Sequence, residues 1–211
     1  MAKIEAVIFD MDGVLIDAQD WHFESLNRAL ALFGYSISRF DHLVTYDGLP
    51  TKKKLEMLSR ERGLPPQLHD FVNHLKQDYT LEMIYTRCKP AFYHEYALAR
   101  LHAEGFGLAV ASNSIRATVE LMMDRAALRP YFQVLLSNQD VTRAKPDPEI
   151  YTLAIQRLGK NPNQCLIVED NQNGIKAAQA AGAHVMVVGG ITDVTYQNIA
   201  ANIARAQRSA A

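Results

Sequence analysis

The spacing of apolar positions along this chain of 211 residues changes character twice. Ala6-Val7-Ile8-Phe9 is an unbroken β-branched and aromatic run, the pattern of a strand buried on both faces of a parallel sheet. From about Asp17 to Lys89 no strand pattern follows. Apolar residues recur there at helical spacing, first in Trp21, Leu26, Ala29, Leu30 and Phe33, with Gly34 ending that helix. A second helix is predicted over Thr51 to Arg62, stopped by Gly63. A third runs from about Pro66 to Arg87, with Leu68, Phe71, Val72, Leu75, Tyr79 and Met83 on its apolar side.

From Pro90 onward strands alternate with helices. Helices are predicted over Phe92 to Glu104, Ile115 to Ala127, Glu149 to Leu158, Ile175 to Ala181 and about Val194 to Arg208. Strands lie between them at Leu108 to Ala111, Val134 to Leu136, Cys165 to Val168 and Val185 to Val188. Such alternation specifies an α/β fold with a parallel sheet covered on both faces. A lone apolar strand would leave its edges unpaired, so Ala6–Phe9 joins that sheet. The expected organisation is a discontinuous core, 1–16 and 90–211, carrying an all-helical insert over 17–89.

A chain of this length buries roughly 70% of the surface exposed when unfolded, so its stability needs no staples. The two cysteines, Cys88 and Cys165, are far apart and suggest neither a zinc site nor a disulfide framework, which points to a cytoplasmic protein. Lys and Arg number 22 against 23 Asp and Glu, a net charge of −1 that supplies no long-range attraction for nucleic acid or an anionic membrane. The expected partner is therefore a small molecule, and the expected assembly a monomer or weak oligomer. No apolar stretch approaches the roughly 20 residues of a spanning helix. Met1-Ala2-Lys3 leads into the first strand without a secretory segment, and the Ala-rich tail from Ala200 to Ala211 shows only helix propensity.

In open α/β sheets the ligand crevice lies beyond the carboxyl ends of the strands, and polar residues cluster there after four of the predicted strands. Asp10-Met11-Asp12-Gly13-Val14 follows the first. Residues two apart in extended chain point the same way, so Asp10 and Asp12 can flank one reacting atom while Gly13 lets the chain turn. Taken alone, two such acids also suit a turn or a helix cap. A calcium loop starting at Asp10 is excluded, since Leu15 and Trp21 stand where its Gly and Glu belong.

The second strand delivers Ser112-Asn113-Ser114 to a helix start, where hydroxyl and backbone N–H groups form an anion cradle or a plain N-cap. Before the next helix stands Lys145-Pro146-Asp147-Pro148, with Asp147 as N-cap and Pro148 at the first helical position. Lys145 is either a solvated loop residue or an ammonium that neutralises a carboxylate and a phosphoryl oxygen together. Glu169-Asp170 ends the strand that begins at Cys165. Adjacent acids at the mouth of the sheet call for a positive partner, and oxygen ligands suit Mg²⁺; Asp170 could instead cap the following helix.

The ordered set DMDGV, SNS, a lysine before proline, and ED resembles the haloacid-dehalogenase-like superfamily of phosphohydrolases. The likeness is to the branch of β-phosphoglucomutase and sugar-phosphate phosphatases, and it covers nearly the whole chain. It implies a Rossmann-like three-layer α/β/α core with an inserted helical cap domain. The segment Asp17-Ala18-Gln19-Asp20-Trp21-His22-Phe23 looks like the lead into that cap. By the resemblance, Asp10 is the nucleophile that becomes an aspartyl phosphate. Asp12 is the acid for the leaving alcohol and then the base for water. Ser112 and the Asn113 backbone hold the phosphoryl group and Lys145 counters its charge. Mg²⁺ is bound by Asp10, the Asp12 backbone carbonyl and Asp170, with Glu169 as a direct or outer ligand. The second acid, Asp12, sets the chain apart from true dehalogenases, which lack it.

In the cap, His22 stands where a histidine of the mutase-like branch influences proton transfer near Asp12, although a surface histidine on a helix is the commoner explanation. Gly48-Leu49-Pro50-Thr51 resembles the specificity loop. Lys52-Lys53-Lys54 places three cations at a helix N-terminus, against the macrodipole, where they either read an anionic substrate group or are simply solvated. Mutases carry an Arg in this loop where the chain has Thr51, which favours hydrolysis. The leading expectation is a Mg²⁺-dependent phosphoric monoester hydrolase acting on a small sugar or polyol phosphate. A phosphomutase is the alternative, and a non-catalytic binding protein on the same fold a more distant one.

Overall fold

The computed structural model describes residues 3–209. Met1, Ala2, Ala210 and Ala211 lie outside them, and with them the start of the chain and the end of the Ala-rich tail discussed above. The chain forms two compact units, one of residues up to Asp17 together with those from Cys88 onward, the other Ala18–Arg87. The boundaries thus follow Asp17 and Arg87, against 16 and 89 in the sequence reading.

The first unit contains a parallel five-stranded sheet. Its strands are β1 (Ala6–Phe9), β2 (Gly107–Ala111), β3 (Val134–Leu136), β4 (Cys165–Glu169) and β5 (His184–Val187), in the order β3-β2-β1-β4-β5. Strand β1, first in sequence, lies at the centre, paired with β2 and β4 so that Phe9 stands level with both Val110 and Val168. That register brings Asp10, Ala111-Ser112 and Glu169-Asp170 out at one edge. The strand order changes direction at β1, so the edge is also the switch point at which α/β sheets bind ligands.

All of Ala6–Phe9 is buried because both faces of β1 are covered. One face, formed by Ala6, Ile8, Ala109, Ala111, Cys165 and Ile167, packs on Ile150, Tyr151, Ala154 and Ile155 and on Ala177 and Ala178. Small side chains on this face let the helices approach closely, and each buried Ile or Leu contributes roughly 1.5–3 kcal/mol.

In chain order the helices are α1 (Gln19–Ala31), α2 (Arg39–Asp41), α3 (Thr51–Arg62), α4 (His69–Arg87), α5 (Phe92–Ala103), α6 (Arg116–Arg125), α7 (Glu149–Arg157), α8 (Gln172–Ala180) and α9 (Tyr196–Ser209). No helix among the described residues is long and apolar enough to cross a membrane.

The second unit, α1 to α4, has its own core. Leu26, Ala29, Leu30, Ile37, Tyr46, Leu55, Leu58, Leu64 and Val72 pack together in it. Helix α3 has the predicted bounds and ends on Gly63, whose φ of 71° is the left-handed conformation that glycine adopts without a steric penalty. The third predicted helix opens as a 3₁₀ turn, Pro66–Leu68, before α4, and Phe71, placed on its apolar side by the pattern, is 54% exposed. Helix α2 and the π-helical turn His42–Tyr46 after it were not predicted. Three- and five-residue elements are too short for a hydrophobic period to register.

Candidate active site

Asp10 leaves β1 still tied to the sheet, its N–H donating to the Val168 carbonyl at 3.0 Å. The chain then folds back on itself. The Met11 carbonyl accepts from the N–H groups of Leu15 and Ile16, both at 2.9 Å, and Gly13 N–H donates to the Ile16 carbonyl at 2.7 Å. Gly13 sits at φ 87°, so the turn anticipated after Asp12 requires glycine. Met11 is fully buried and Asp12 half-buried. Asp12 is held from the neighbouring strand end, where the Ser114 hydroxyl donates to its Oδ2 at 2.9 Å. The Ser114 N–H in turn donates to Ser112 Oγ at 3.0 Å.

Lys145 is not a solvated loop residue. Its ammonium is 4% exposed and lies 2.6 Å from Asp10 Oδ1, 2.7 Å from Glu169 Oε1 and 2.7 Å from the Tyr151 hydroxyl. Its backbone N–H donates to Asn113 Oδ1 at 3.3 Å, which ties the loop before α7 to the loop after β2. Burial works against the charge on Lys145, but the carboxylates of Asp10 and Glu169 outweigh it and hold the ammonium above its ordinary pKa. The Asp10 carboxyl is pushed well up, first by burial. Lys145 opposes that push, while Glu169, Asp12 and Asp170 add to it. Burial, followed by the charges of Glu169 and Asp10, keeps Tyr151 a phenol.

One oxygen from each of Asp10, Glu169 and Asp170 falls within 4.8 Å of the others. Glu169, Asp12 and Asp170 all act by their charge on Asp10, while Lys145 is bonded to Asp10 and Glu169, and an all-oxygen donor set with that surplus of negative charge fits a hard divalent cation such as Mg²⁺. Asp170 is not the cap of the next helix: the N-cap of α8 is Asn171, whose side chain accepts from Asn173 N–H at 2.9 Å. Glu169 is already engaged. Its Oε1 accepts from Lys145 and from Tyr151, and its Oε2 from the backbone N–H groups of Asp170 and Asn171 at 3.1 and 3.2 Å. Both oxygens being so occupied, Glu169 suits the outer position of the two that the resemblance allows.

Residues 7–188 match the family described as haloacid dehalogenase-like hydrolase. The chain belongs to that family. It is 31% identical over 182 residues to the phosphorylated carbohydrates phosphatase of Thermotoga maritima, covering 85% of this chain and 82% of the relative. Among solved structures it is similar to CbbY of Rhodobacter sphaeroides in complex with phosphate, with a TM-score of 0.79 and 25% identity over 87% of this chain and 85% of that one. It shares its fold with β-phosphoglucomutase of Clostridium difficile, TM-score 0.80 and 20% identity over 96% and 98% of the two chains.

In this haloacid dehalogenase-like hydrolase the core residues singled out from sequence, Asp10, Asp12, Ser112, Asn113, Lys145, Glu169 and Asp170, all lie at or just beyond the carboxyl ends of the strands or in the loop tied to them. Ser112 does not cap α6, whose N-cap is Ile115, and its hydroxyl instead shapes the turn to Ser114. Asp147 Oδ1 accepts from Glu149 N–H at 3.0 Å, as a capping residue does, although the N-cap itself is Pro148. Three residues were missed. Ser114 was visible as the last member of the SNS motif, but nothing local showed its bond to Asp12. Tyr151 lies inside the helix predicted from Glu149 to Leu158, with no role assigned by the pattern. Gly174, just before the helix predicted from Ile175, carried no sequence signal, yet a Cβ there would overlap the Glu169 carboxylate.

The residues singled out in the helical unit sit at helix starts or on α1. His22 Nδ1 is 3.1 Å from Lys76 Nζ, and Thr51 is the first residue of α3. The three lysines differ: Lys52 and Lys53 are exposed, whereas Lys54 is buried. A buried histidine, His42, had no sequence signal. Neither of its ring nitrogens makes a hydrogen bond.

Proposed function

We propose that this hydrolase is a Mg²⁺-dependent phosphatase that removes phosphate from a small metabolite, a sugar or polyol phosphate, through an aspartyl phosphate on Asp10. The observation that carries this reading is the separation of the two carboxylates. Asp10 is held by the Lys145 ammonium at 2.6 Å, and Asp12 by the neutral Ser114 hydroxyl at 2.9 Å. A carboxylate against a fixed cation suits a nucleophile facing a phosphate dianion, and one on a neutral hydroxyl is available for proton transfer. The relative named phosphorylated carbohydrates phosphatase supports the substrate class.

Asp10 Oδ attacks phosphorus as the bond to the leaving oxygen breaks, and Asp12 passes its proton to that oxygen so that an alcohol departs. Asp12, now a carboxylate, takes a proton from water. The water oxygen attacks the phosphorus of the aspartyl phosphate and inorganic phosphate leaves with Asp10 regenerated. Ser112 and the Asn113 backbone hold the phosphoryl oxygens, and Lys145 counters the charge on them and on Asp10. Asp10, the backbone carbonyl of Asp12 and Asp170 would hold Mg²⁺, with Glu169 outside them. When bound, the ion supplies neutralisation of the carboxylate cluster and of the phosphoryl charge. His22, Thr51 and Lys52 are the proposed substrate contacts of the helical unit, and the protein is proposed to act in the cytoplasm as a monomer or weak oligomer.

The test is a panel of phosphate esters incubated with purified protein and Mg²⁺, with inorganic phosphate and isomerised sugar phosphate measured separately. Phosphate release from sugar or polyol phosphates is the expected result. Isomerisation without phosphate release would replace the phosphatase with a mutase, and neither product from any ester would leave a binding protein.

A further inference from the structure

We propose that Tyr151 is a positioning residue of the active site, its hydroxyl fixing the Lys145 ammonium at Asp10. The inference rests on the phosphatase reading for its effect on turnover, and on the hydrogen-bond geometry for its effect on Lys145.

The direction of every bond in the group is determined by what each member can give. An ammonium has three N–H donors and no acceptor, and an ionised carboxylate only accepts. Lys145 therefore spends one N–H on each of Asp10, Glu169 and the Tyr151 oxygen. The single Tyr151 proton goes to Glu169 Oε1 at 2.5 Å, a short charge-assisted bond. Tyr151 thus joins the cation to its counter-charge. Its ring adds to this, with Lys145 Nζ 4.5 Å from the ring centroid.

The mechanical difference between the two residues makes the arrangement directional. Lys145 is carried by a loop on a long, flexible stem. Tyr151 is on α7, fully buried, packed in the apolar cluster that backs the sheet. The rigid partner holds the flexible one. Glu169 is itself anchored, because the N–H groups of Asp170 and Asn171 donate to its other carboxylate oxygen, Oε2. Removing the Tyr151 oxygen would leave one N–H of a buried ammonium without its acceptor and one Glu169 lone pair without its donor, and the ammonium would turn away from Asp10 to satisfy itself. Tyr151 makes no hydrogen bond to Asp10, so it acts through Lys145.

Four proteins test this: Tyr151→Phe, Lys145→Ala, the double variant, and Ile155→Val, a core change in the same helix that matches a packing loss. In Tyr151→Phe, kcat on the best ester should fall by roughly 10- to 100-fold, the scale of a lost electrostatic contact, with KM changed less than about threefold. Aryl and alkyl phosphates should lose equally, since the effect is on the nucleophile's side. In the double variant, Tyr151→Phe should add little to Lys145→Ala, whereas a structural role would multiply the two losses. Ile155→Val should keep wild-type kcat.

A Tyr151→Phe enzyme indistinguishable from Ile155→Val, or multiplicative losses in the double variant, would overturn the proposal while the phosphatase reading stood. Crystal structures of wild type and Tyr151→Phe give a readout independent of turnover. Lys145 Nζ should leave Asp10 in the variant, and an unmoved Nζ would overturn the proposal. A wild type without phosphatase activity whose Nζ still depends on Tyr151 would sink the phosphatase reading alone.

Discussion

Ser114 donates its hydroxyl proton to Asp12 Oδ2 at 2.9 Å, joining the loop after β2 to the loop after β1 across 102 residues of sequence. If Asp12 is the acid that protonates the leaving oxygen, Asp12→Ala should lower kcat by about 10² to 10⁴. The loss should be greater for alkyl phosphates, whose alkoxides leave poorly, than for aryl phosphates. Ser114→Ala should show the same leaving-group bias in weaker form, because it misplaces Asp12 without removing it. Equal losses on both ester types, measured by released phosphate, would take leaving-group protonation away from Asp12.

Burial and three neighbouring acids raise the cost of charge on Asp10, and Lys145 opposes them. A divalent cation should therefore be required for turnover, with activity lost in excess EDTA and restored by Mg²⁺. Asp10→Asn should fold, keeping the shape of the side chain, and release no phosphate from any ester. Turnover in excess EDTA would contradict the cation requirement, and turnover in Asp10→Asn would contradict the role of Asp10 as nucleophile.

Gly174 faces the Glu169 carboxylate so closely that a methyl group has no place. Gly174→Ala should push Glu169 off Lys145 and Tyr151. We expect a stability loss of about 1–3 kcal/mol in urea unfolding, the usual cost of overpacking, together with a fall in kcat. An unchanged unfolding midpoint with full activity would show that Glu169 can relocate freely.

His42 is 2% exposed, beside Phe23, and burial pushes its ring down to about 4 from 6.5, with Lys54 adding to the effect and Asp47, 3.8 Å away, opposing it. Arg39 and His22 are the other charged or titratable groups that act on it, both against protonation. The folded protein keeps this ring neutral while the unfolded chain takes up a proton below about 6.5. Its contribution to stability is therefore present above that pH and is lost as pH falls from about 6.5 toward 4. Urea midpoints between pH 7 and 5 should drop more steeply for wild type than for His42→Phe. Parallel slopes would mean that His42 titrates as an exposed histidine does.

The sequence by itself determined the layered core, because a strand buried on both faces must be a continuous apolar run, and Ala6–Phe9 and Cys165–Val168 are such runs whatever surrounds them. It also determined where the chemistry lies, since polar residues directly after buried strands emerge at the carboxyl edge of a parallel sheet. Asp10, Ser112 and Glu169 do so. Helix α3 was legible to the residue because Gly63 marks its end with a conformation other residues rarely adopt.

Only the tertiary structure decided which of these groups meet. Lys145 and Asp10 are 135 residues apart, and their contact depends on the order β3-β2-β1-β4-β5 and on the packing of α7 against that sheet. No local pattern encodes either. For the same reason Tyr151 carried no signal in the sequence: burial and polar function leave the same helical period, and only the position of its hydroxyl distinguishes them. Lys52 and Lys54 likewise read alike as members of one basic run, yet one is exposed and the other buried, because turning around a helix axis separates neighbours that sequence places side by side.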